Sequence, residues 1–227
     1  MAIFILDAGR CGDGQSGAGD REKAGNQGFR RGHPRTEASP AEKSKYLSVR
    51  VMHTNMEMGK ELVRMGVDIL WCGDDFGTQS GLLMDPDLWR AYFKPRIQYM
   101  FQEFRKINPE IKLAWHSCGS ILPIIPDFIE IGLDILNPLQ PLATGMDPRF
   151  LKDTYGEMLT FFGAIDVQHL LPSETPAVVK REVKRIASIL GNGGGYILAP
   201  AHNVQPDTPV ENVLAMYDAV REMGRTS

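Results

Sequence analysis

The sequence lacks the features that mark secreted and membrane proteins. Its cysteines are Cys11, Cys72 and Cys118, an odd number spread far apart in the chain, which excludes a disulfide framework. Its apolar runs fall well short of the ~18 residues that a membrane span needs. The apolar start of the chain ends at Asp7, before the core of a secretion signal would be complete. We therefore expect a cytoplasmic protein with reduced thiols.

Long basic clusters are also absent. The formal net charge is -3, and no long block of Lys or Arg occurs in the chain. Nucleic acids and anionic membranes are bound through concentrated positive charge, which this sequence does not provide. The composition therefore predicts no nucleic-acid partner and no membrane partner, and it favours a small-molecule substrate.

The first part of the chain is poor in large apolar residues. Residues 7–42 contain eight glycines and many charges, and Phe29 is their one large apolar side chain. Such a composition cannot form a packed core, so we predict that residues 1–45 are disordered and that the folded domain spans residues 46–227. Residues 12–17, GDGQSG, match a dinucleotide-binding fingerprint. No helix pattern follows them, and that site requires a helix amino terminus, so we reject it.

From Gly66 onward one pattern recurs: a near-continuous apolar run, a polar loop, and a helix. Continuous apolar runs are typical of parallel strands that are buried on both faces. Helix starts are indicated at Asp85-Pro86, Asp147-Pro148 and Thr208-Pro209, the last within a capping box. The predicted strands are residues 67–72, 112–116, 134–137, 159–163 and 196–199.

These five βα units predict a parallel α/β fold, either an open doubly wound sheet or a closed barrel. A TIM-type (β/α) barrel has eight units in about 250 residues. The residues before Gly66 are too few and too polar to supply three more units of about 30 residues each. If the fold is a barrel, we expect it to be incomplete at its amino-terminal side.

Polar residues follow the predicted strands at their carboxyl ends, where parallel α/β proteins place their chemistry. His116 and Cys118 are two residues apart in an extended segment, so both side chains project to the same side. An imidazole and a thiolate form half of a typical zinc site, and His202 is the best candidate for a third ligand. The alternative is a buried, hydrogen-bonded His116 beside a small apolar Cys118.

Two adjacent carboxylates follow the first of these strands. Asp74 and Asp75 are the next candidates for a third metal ligand, and paired carboxylates in a dry cleft can also act as general acid and base. The alternative is that they accept hydrogen bonds from backbone N–H groups of their own loop. The remaining polar residues at the strand ends are Asn137, Asp166 and Asn203.

Two segments resemble the uroporphyrinogen decarboxylase superfamily. The first comprises residues 73–79, GDDFGTQ, and continues through residues 84–90, MDPDLWR, to Lys94-Pro95. The second comprises residues 199–203, APAHN, followed by residues 206–213, PDTPVENV. The resemblance extends from about Tyr46 to the end of the chain. It implies a TIM-type barrel with its active site at the carboxyl-terminal rim.

Within that superfamily, corrinoid- and thiol-dependent methyltransferases resemble the chain at His116-x-Cys118-Gly119. In them this motif binds zinc together with a later cysteine, whose place is taken here by His202. The resemblance therefore implies zinc-dependent methyl transfer to or from a corrinoid protein or a thiol, with Zn²⁺ as cofactor and a methyl donor as substrate. His116, Cys118 and His202 would be the metal ligands. The expected substrate-binding residues are Gln79, Asn137, Asp166 and Asn203.

Uroporphyrinogen decarboxylases resemble the chain at His202 but lack the His-x-Cys pair. Under this alternative the substrate is a tetrapyrrole of porphyrin biosynthesis, no cofactor is needed, and the catalytic groups are Asp74, Asp75 and His202. The porphyrinogen-binding arginines and the catalytic aspartate of those enzymes lie in the amino-terminal part of the barrel, to which nothing here corresponds. A third hypothesis is a truncated, inactive barrel whose exposed strand edges favour association, including homo-oligomers.

Overall fold

The protein contains a six-stranded parallel sheet. The structure is a computed structural model that describes residues 3–7 and 40–224, with side chains described from Val49 onward. The strands follow one another across the sheet in chain order, and each is parallel to its neighbour. They are β1 (Ile3–Asp7), β2 (Ile69–Gly73), β3 (Lys112–His116), β4 (Ile135–Leu139), β5 (Thr160–Ile165) and β6 (Tyr196–Pro200).

Helices connect consecutive strands. Among the described helices, none is both long enough and apolar enough to cross a membrane. A short 3₁₀ helix, Leu122–Ile124, precedes α4. The α-helices are α1 (Pro40–Arg64), α2 (Pro86–Tyr92), α3 (Lys94–Ile107), α4 (Ile125–Glu130), α5 (Pro148–Tyr155), α6 (Leu170–Ser173), α7 (Pro176–Leu190) and α8 (Val210–Gly224).

The strand order identifies the architecture. A doubly wound sheet reverses its strand order at a switch point, whereas a barrel adds each new strand beside the last one. Here the order is strictly consecutive from β1 to β6. The fold is therefore a partial (β/α) barrel of the TIM type, and the predicted fold class is confirmed. The five strands predicted after Gly66 are all present, with ends that differ by up to two residues.

The amino-terminal part of the chain differs from the expectation in two places. Ile3–Asp7 forms a strand that pairs in parallel with β2, and helix α1 begins at Pro40, inside the segment expected to be disordered. The run Ile-Phe-Ile-Leu in β1 has the continuous apolar character of a strand in a parallel sheet. Residues 8–39, which include GDGQSG and most of the segment predicted to be disordered, lie outside the described residues.

The two faces of the sheet have different surroundings. One face packs against the helices through the main core, which includes Leu70, Leu113, Trp115, Leu136 and Phe161. A fully buried Leu or Phe side chain contributes roughly 1.5–3 kcal/mol, so this face holds the fold together. A smaller cluster on the other face comprises Ile69, Ala114 and Ile135, flanked by Trp71, Phe162 and Ile197. That second face is the interior of the partial barrel, and side chains two residues further along each strand reach its rim.

The helix caps confirm two of the three predicted starts. The side chain of Asp85 accepts a hydrogen bond from the N–H of Asp87, and that of Asp147 accepts one from the N–H of Phe150, each at 2.8 Å. The capping box predicted at Thr208 was wrong. The Thr208 N–H closes a turn on the carbonyl of Gln205, and its buried hydroxyl has no hydrogen-bond partner among the described residues.

Candidate metal centre

The carboxyl ends of β2 and β3 lie in register with the middle of β4. Gly73 pairs with His116, and His116 pairs with Asn137. Because the strands are parallel, the loops that follow them emerge at the same edge of the sheet. The polar residues that follow the strands are therefore brought to one rim.

Three side chains from this rim form a group that could hold a metal ion. His116, Cys118 and His202 each offer one ligand atom, and these atoms all lie within 4.8 Å of one another. His116 ends β3, whereas His202 follows β6, three strands away. Strands in a flat sheet are spaced by about 4.8 Å, so a flat sheet would separate the two by about 14 Å. Their ring centroids are 6.3 Å apart, which requires the curvature of a barrel.

The orientation of His116 is set by Asn137. The His116 Nδ1 atom lies 2.7 Å from Asn137 Oδ1, and the Asn137 side chain is buried. An amide oxygen can only accept, so this hydrogen bond places the proton on Nδ1 and leaves the Nε2 lone pair available. Nε2 is the atom that faces Cys118, with Sγ at 3.4 Å. Metal-binding histidines typically donate their other ring N–H to an acceptor of this kind.

Glycine at position 73 makes room for this histidine. A Cβ at Gly73 would lie 2.6 Å from the Cβ of His116 and 3.0 Å from its carbonyl oxygen. Any residue with a Cβ at position 73 would therefore displace His116. The glycine that ends β2 is thus part of what positions the imidazole on β3.

Cys118 is held by the loop that follows β2. Its N–H donates to Asp75 Oδ1 at 2.8 Å, and the buried Ser117 Oγ accepts from the N–H of Phe76 at 2.9 Å. The N–H of Asp74 donates to the carbonyl of His116 at 3.0 Å. These hydrogen bonds tie two neighbouring loops together, so the His-x-Cys segment is fixed on both sides of its thiol.

The same two loops approach each other closely at a pair of glycines. Gly119 has a φ of +80°, in the left-handed region that favours glycine. A Cβ on Gly119 would lie 2.5 Å from the carbonyl carbon of Gly77, and a Cβ on Gly77 would lie 2.6 Å from the carbonyl oxygen of Cys118. The backbones touch at this point, and only glycine fits at either position.

The two cysteines in the described part of the chain differ in their chemistry. Cys72 is buried on the helix-facing side of β2, and burial raises the pKa of its thiol to about 12. Cys118 is partly exposed at the rim, beside two imidazoles. A thiol acts as nucleophile or metal ligand in its thiolate form. Of the two, Cys118 is the cysteine that lies at the rim, and its role as a metal ligand stays a prediction.

The donor set fits a zinc ion. Zinc binds imidazole nitrogen at about 2.0 Å and thiolate sulfur at about 2.3 Å, so a tetrahedral site separates the two ligand atoms by about 3.5 Å. The observed separation of His116 Nε2 and Cys118 Sγ is 3.4 Å. The ligand atom of His202 lies within 4.8 Å of each of the other two. A catalytic zinc site typically has three protein ligands, the number that this group would supply.

The other residues predicted at the site lie around this group in different settings. Asp75 Oδ1 is 3.6 Å from His116 Nε2, whereas Asp74 and Asn203 are exposed. The carboxylate of Asp166 accepts hydrogen bonds from the N–H groups of Leu170, which begins α6, and of the two residues before it, Gln168 and His169. Asp166 thus has a capping function in the fold. The catalytic and substrate-binding roles of these residues stay predictions.

Two residues near the centre were not predicted from the sequence. Gln140 accepts a hydrogen bond from the N–H of Gly119 at 2.9 Å and another from Gln79 at 3.3 Å. It was missed because β4 was predicted to end at Asn137, whereas the strand extends to Leu139. Trp71 lies one layer below the rim, with its ring 6.1 Å from that of His116. The alternation of side chains along β2 was the signal that places it there.

The chain is similar to proteins that carry the names of two different enzymes. Over 158 residues the chain is 24% identical to the methylcobamide:CoM methyltransferase MtaA of Methanosarcina barkeri, and over 163 residues it is 30% identical to the uroporphyrinogen decarboxylase of Thermus thermophilus. Each match covers 70% of this chain and 42% of the relative. The chain therefore spans about two fifths of the length of these curated relatives.

A solved structure and a family model agree with these matches. The structure of a methyltransferase from Methanosarcina mazei superposes with a TM-score of 0.59 at 25% sequence identity, over 76% of this chain and 47% of that one. The family model for uroporphyrinogen decarboxylase (URO-D) matches residues 27–223. That match includes every residue of the rim described above. The chain belongs to the uroporphyrinogen decarboxylase family.

Proposed function

We propose that the chain binds zinc at His116, Cys118 and His202, and that the protein transfers a methyl group between a corrinoid and a thiol. The observation that carries the proposal is the closeness of the three ligand atoms, which lie within 4.8 Å of one another. Among the similar proteins, the methylcobamide:CoM methyltransferase of Methanosarcina barkeri and the methyltransferase of Methanosarcina mazei support this choice over the other activity of the family.

The residues around the centre have separate tasks in this proposal. His116, Cys118 and His202 would hold the zinc, which would supply the Lewis acidity that lowers the pKa of a substrate thiol. Asn137 keeps the His116 ring in the orientation that presents Nε2. Asp75 anchors the backbone of Cys118 from the opposite side. Both ligands are therefore held in place before a substrate arrives, which limits the ordering that binding requires.

The identity of the third ligand sets the charge of the centre. One thiolate and two neutral imidazoles carry one negative charge, whereas the two thiolates and one imidazole of the methyltransferases carry two. With His202 as the third ligand, the zinc centre would carry one more positive charge than it would with a second cysteine. A more positive centre favours the deprotonated form of a bound thiol more strongly. His202 thus favours formation of the thiolate and lowers its nucleophilicity once it has formed.

The zinc content of the purified chain tests the proposal. We expect about one zinc per chain by elemental analysis, and a substantial loss in each of the variants His116→Ala, Cys118→Ala and His202→Ala. His169→Ala is the matched control, because His169 is exposed and lies outside the group. A chain that is folded by circular dichroism but binds no zinc would sink the proposal. So would zinc that survives all three substitutions.

Decarboxylation of a tetrapyrrole is the second candidate function. It is favoured by the 30% identity to the Thermus thermophilus uroporphyrinogen decarboxylase and by the two carboxylates at the rim, Asp74 and Asp75. A carboxylate there would stabilise a protonated pyrrole or move a proton. Removal of zinc with a chelator distinguishes the two candidate functions. Turnover of uroporphyrinogen that persists after zinc removal and falls in Asp75→Asn supports decarboxylation.

A further inference from the structure

Four consecutive backbone N–H groups hold the segment that carries Cys118, and each of them donates to an acceptor outside the segment. From Ser117 to Ser120 in turn, the acceptors are the Asn137 carbonyl at 2.7 Å, Asp75 Oδ1 at 2.8 Å, Gln140 Oε1 at 2.9 Å and the Thr78 carbonyl at 2.7 Å. The first and last acceptors are backbone groups, which a substitution leaves in place. The middle two are side chains, so the placement of the thiol depends on the residues at positions 75 and 140.

Gln140 is the uncharged member of these two side chains. Its Oε1 accepts from the N–H of Gly119 and also from Gln79 Nε2, the latter at 3.3 Å. A backbone N–H can only donate, so the atom of Gln140 on this side must be its amide oxygen. The side chain is partly buried, and two donors hold its oxygen. Gln140 is therefore a fixed acceptor for the residue that follows Cys118.

An irregularity in β4 lies directly before Gln140. Between Leu136 and Leu139, β4 advances three residues while the paired β5 advances two. A regular strand directs side chains three residues apart to opposite faces. An extra residue shifts this alternation, and such bulges commonly redirect side chains beside active sites. Here Asn137 and Gln140, three residues apart, both contact residues 116–119.

The end of β4 thus contacts the segment on both sides of the two neighbouring ligand atoms. Asn137 sets the orientation of the His116 ring, and Gln140 holds the backbone after Cys118. His116 Nε2 and Cys118 Sγ lie 3.4 Å apart, close to the separation of about 3.5 Å in a tetrahedral zinc site. Ligand distances in zinc sites hold to about 0.2 Å, so a small shift of this backbone would disturb the pair.

We propose that Gln140 is a positioning residue of the metal centre, whose amide oxygen holds the Cys118 thiolate at the separation from His116 that zinc requires. The inference rests on the proposed zinc site. It adds a residue that acts through the N–H of Gly119 instead of through a ligand atom.

Three variants isolate this hydrogen bond. Gln140→Leu removes the acceptor, and Gln140→Glu keeps an oxygen for both donors. Gln102→Leu is the matched control, because Gln102 is exposed on α3. Cobalt(II) is titrated into the full chain in place of zinc, and its thiolate-to-metal charge-transfer absorption reports the bond to Cys118. We expect Gln140→Leu to bind cobalt roughly tenfold more weakly with a weaker absorption band, and the other two variants to match the parent chain.

Urea denaturation of the same samples distinguishes positioning from a general loss of stability. Gln140→Ala, which adds no branched side chain, replaces Gln140→Leu if the latter does not fold. Parental cobalt binding and a parental spectrum in the folded variant overturn the role of Gln140. An equal defect in Gln140→Glu, or an affinity that falls only as far as the free energy of unfolding does, also overturns it. A parent chain that binds neither cobalt nor zinc refutes the proposed zinc site itself.

Discussion

Asn137 contacts the candidate metal centre through one hydrogen bond to His116 Nδ1, at 2.7 Å. Replacing it by Leu removes the acceptor and leaves the imidazole free to rotate. Loss of the hydrogen-bond partner of a metal-binding histidine typically lowers metal affinity by roughly 10–100-fold, and we expect a loss of that size in Asn137→Leu. Competition with a chelating dye measures the affinity.

The conservative variant at the same position is the control. Asn137→Asp keeps an oxygen that accepts from Nδ1, so its zinc affinity should stay close to that of the parent chain. Circular dichroism shows whether the Leu variant folds. Parent-like affinity in a folded Asn137→Leu would contradict the role given to this hydrogen bond.

Single residues were predictable where their type is rare and their position is fixed by a strand end. His116 and Cys118 were identified as a pair because their spacing in an extended segment gives them a common direction. The partner of His116 Nδ1 could not be identified in this way, because it belongs to another strand and depends on the pairing register. Gln140 was missed for a related reason, since it follows a strand whose end was placed two residues too early.

The short helix α6 depends on one carboxylate at its start. Asp166 accepts from the N–H groups of Gln168, His169 and Leu170, which have no other partner from the helix itself. We expect Asp166→Ala to lower the free energy of unfolding by about 1–2 kcal/mol, as loss of a helix cap does. Urea denaturation measures the change.

The same variant separates capping from substrate binding. If Asp166 acts through the fold alone, zinc content and methylcobalamin affinity remain at parental levels in Asp166→Ala. Asp166→Asn keeps one accepting oxygen and should recover part of the stability. A loss of methylcobalamin affinity without a loss of stability would instead support the substrate-binding role predicted from the sequence.

Elements were predictable where apolar continuity and turn chemistry agreed. All five strands after Gly66 carry continuous apolar runs, and the Asp-Pro helix starts at Asp85 and Asp147 cap as expected. Thr208-Pro209 has the same local pattern and does not cap, since the Thr208 hydroxyl has no hydrogen-bond partner among the described residues. Local sequence therefore predicted the existence of the elements better than the side-chain contacts at their ends.

At the scale of the whole molecule, the centre joins distant parts of the chain. His116 and His202 are separated by 86 residues and by two intervening strands. An ion bound between them stabilises the folded state relative to the unfolded one. At a free zinc concentration of about 100 times the dissociation constant, we expect the free energy of unfolding to rise by about 2.7 kcal/mol.

Thermal unfolding measures this effect. For a domain of this size, such a gain corresponds to an increase in Tm of about 5–10 °C. His116→Ala should show no comparable increase, and His169→Ala should match the parent chain. An equal rise in Tm for the parent chain and for His116→Ala would place the stabilising zinc elsewhere.

The contact between Gly77 and Gly119 has a consequence for the history of this sequence. A side chain at either position would meet the backbone of the other loop. The two glycines lie in different βα units, yet neither can change while the other loop keeps its course. We therefore expect related sequences to contain both the Gly77-Thr78 dipeptide after β2 and the Cys118-Gly119 dipeptide after β3, or neither of them. The joint occurrence of the two dipeptides would therefore identify, from sequence alone, those relatives in which these two loops are in contact beside the position of Cys118.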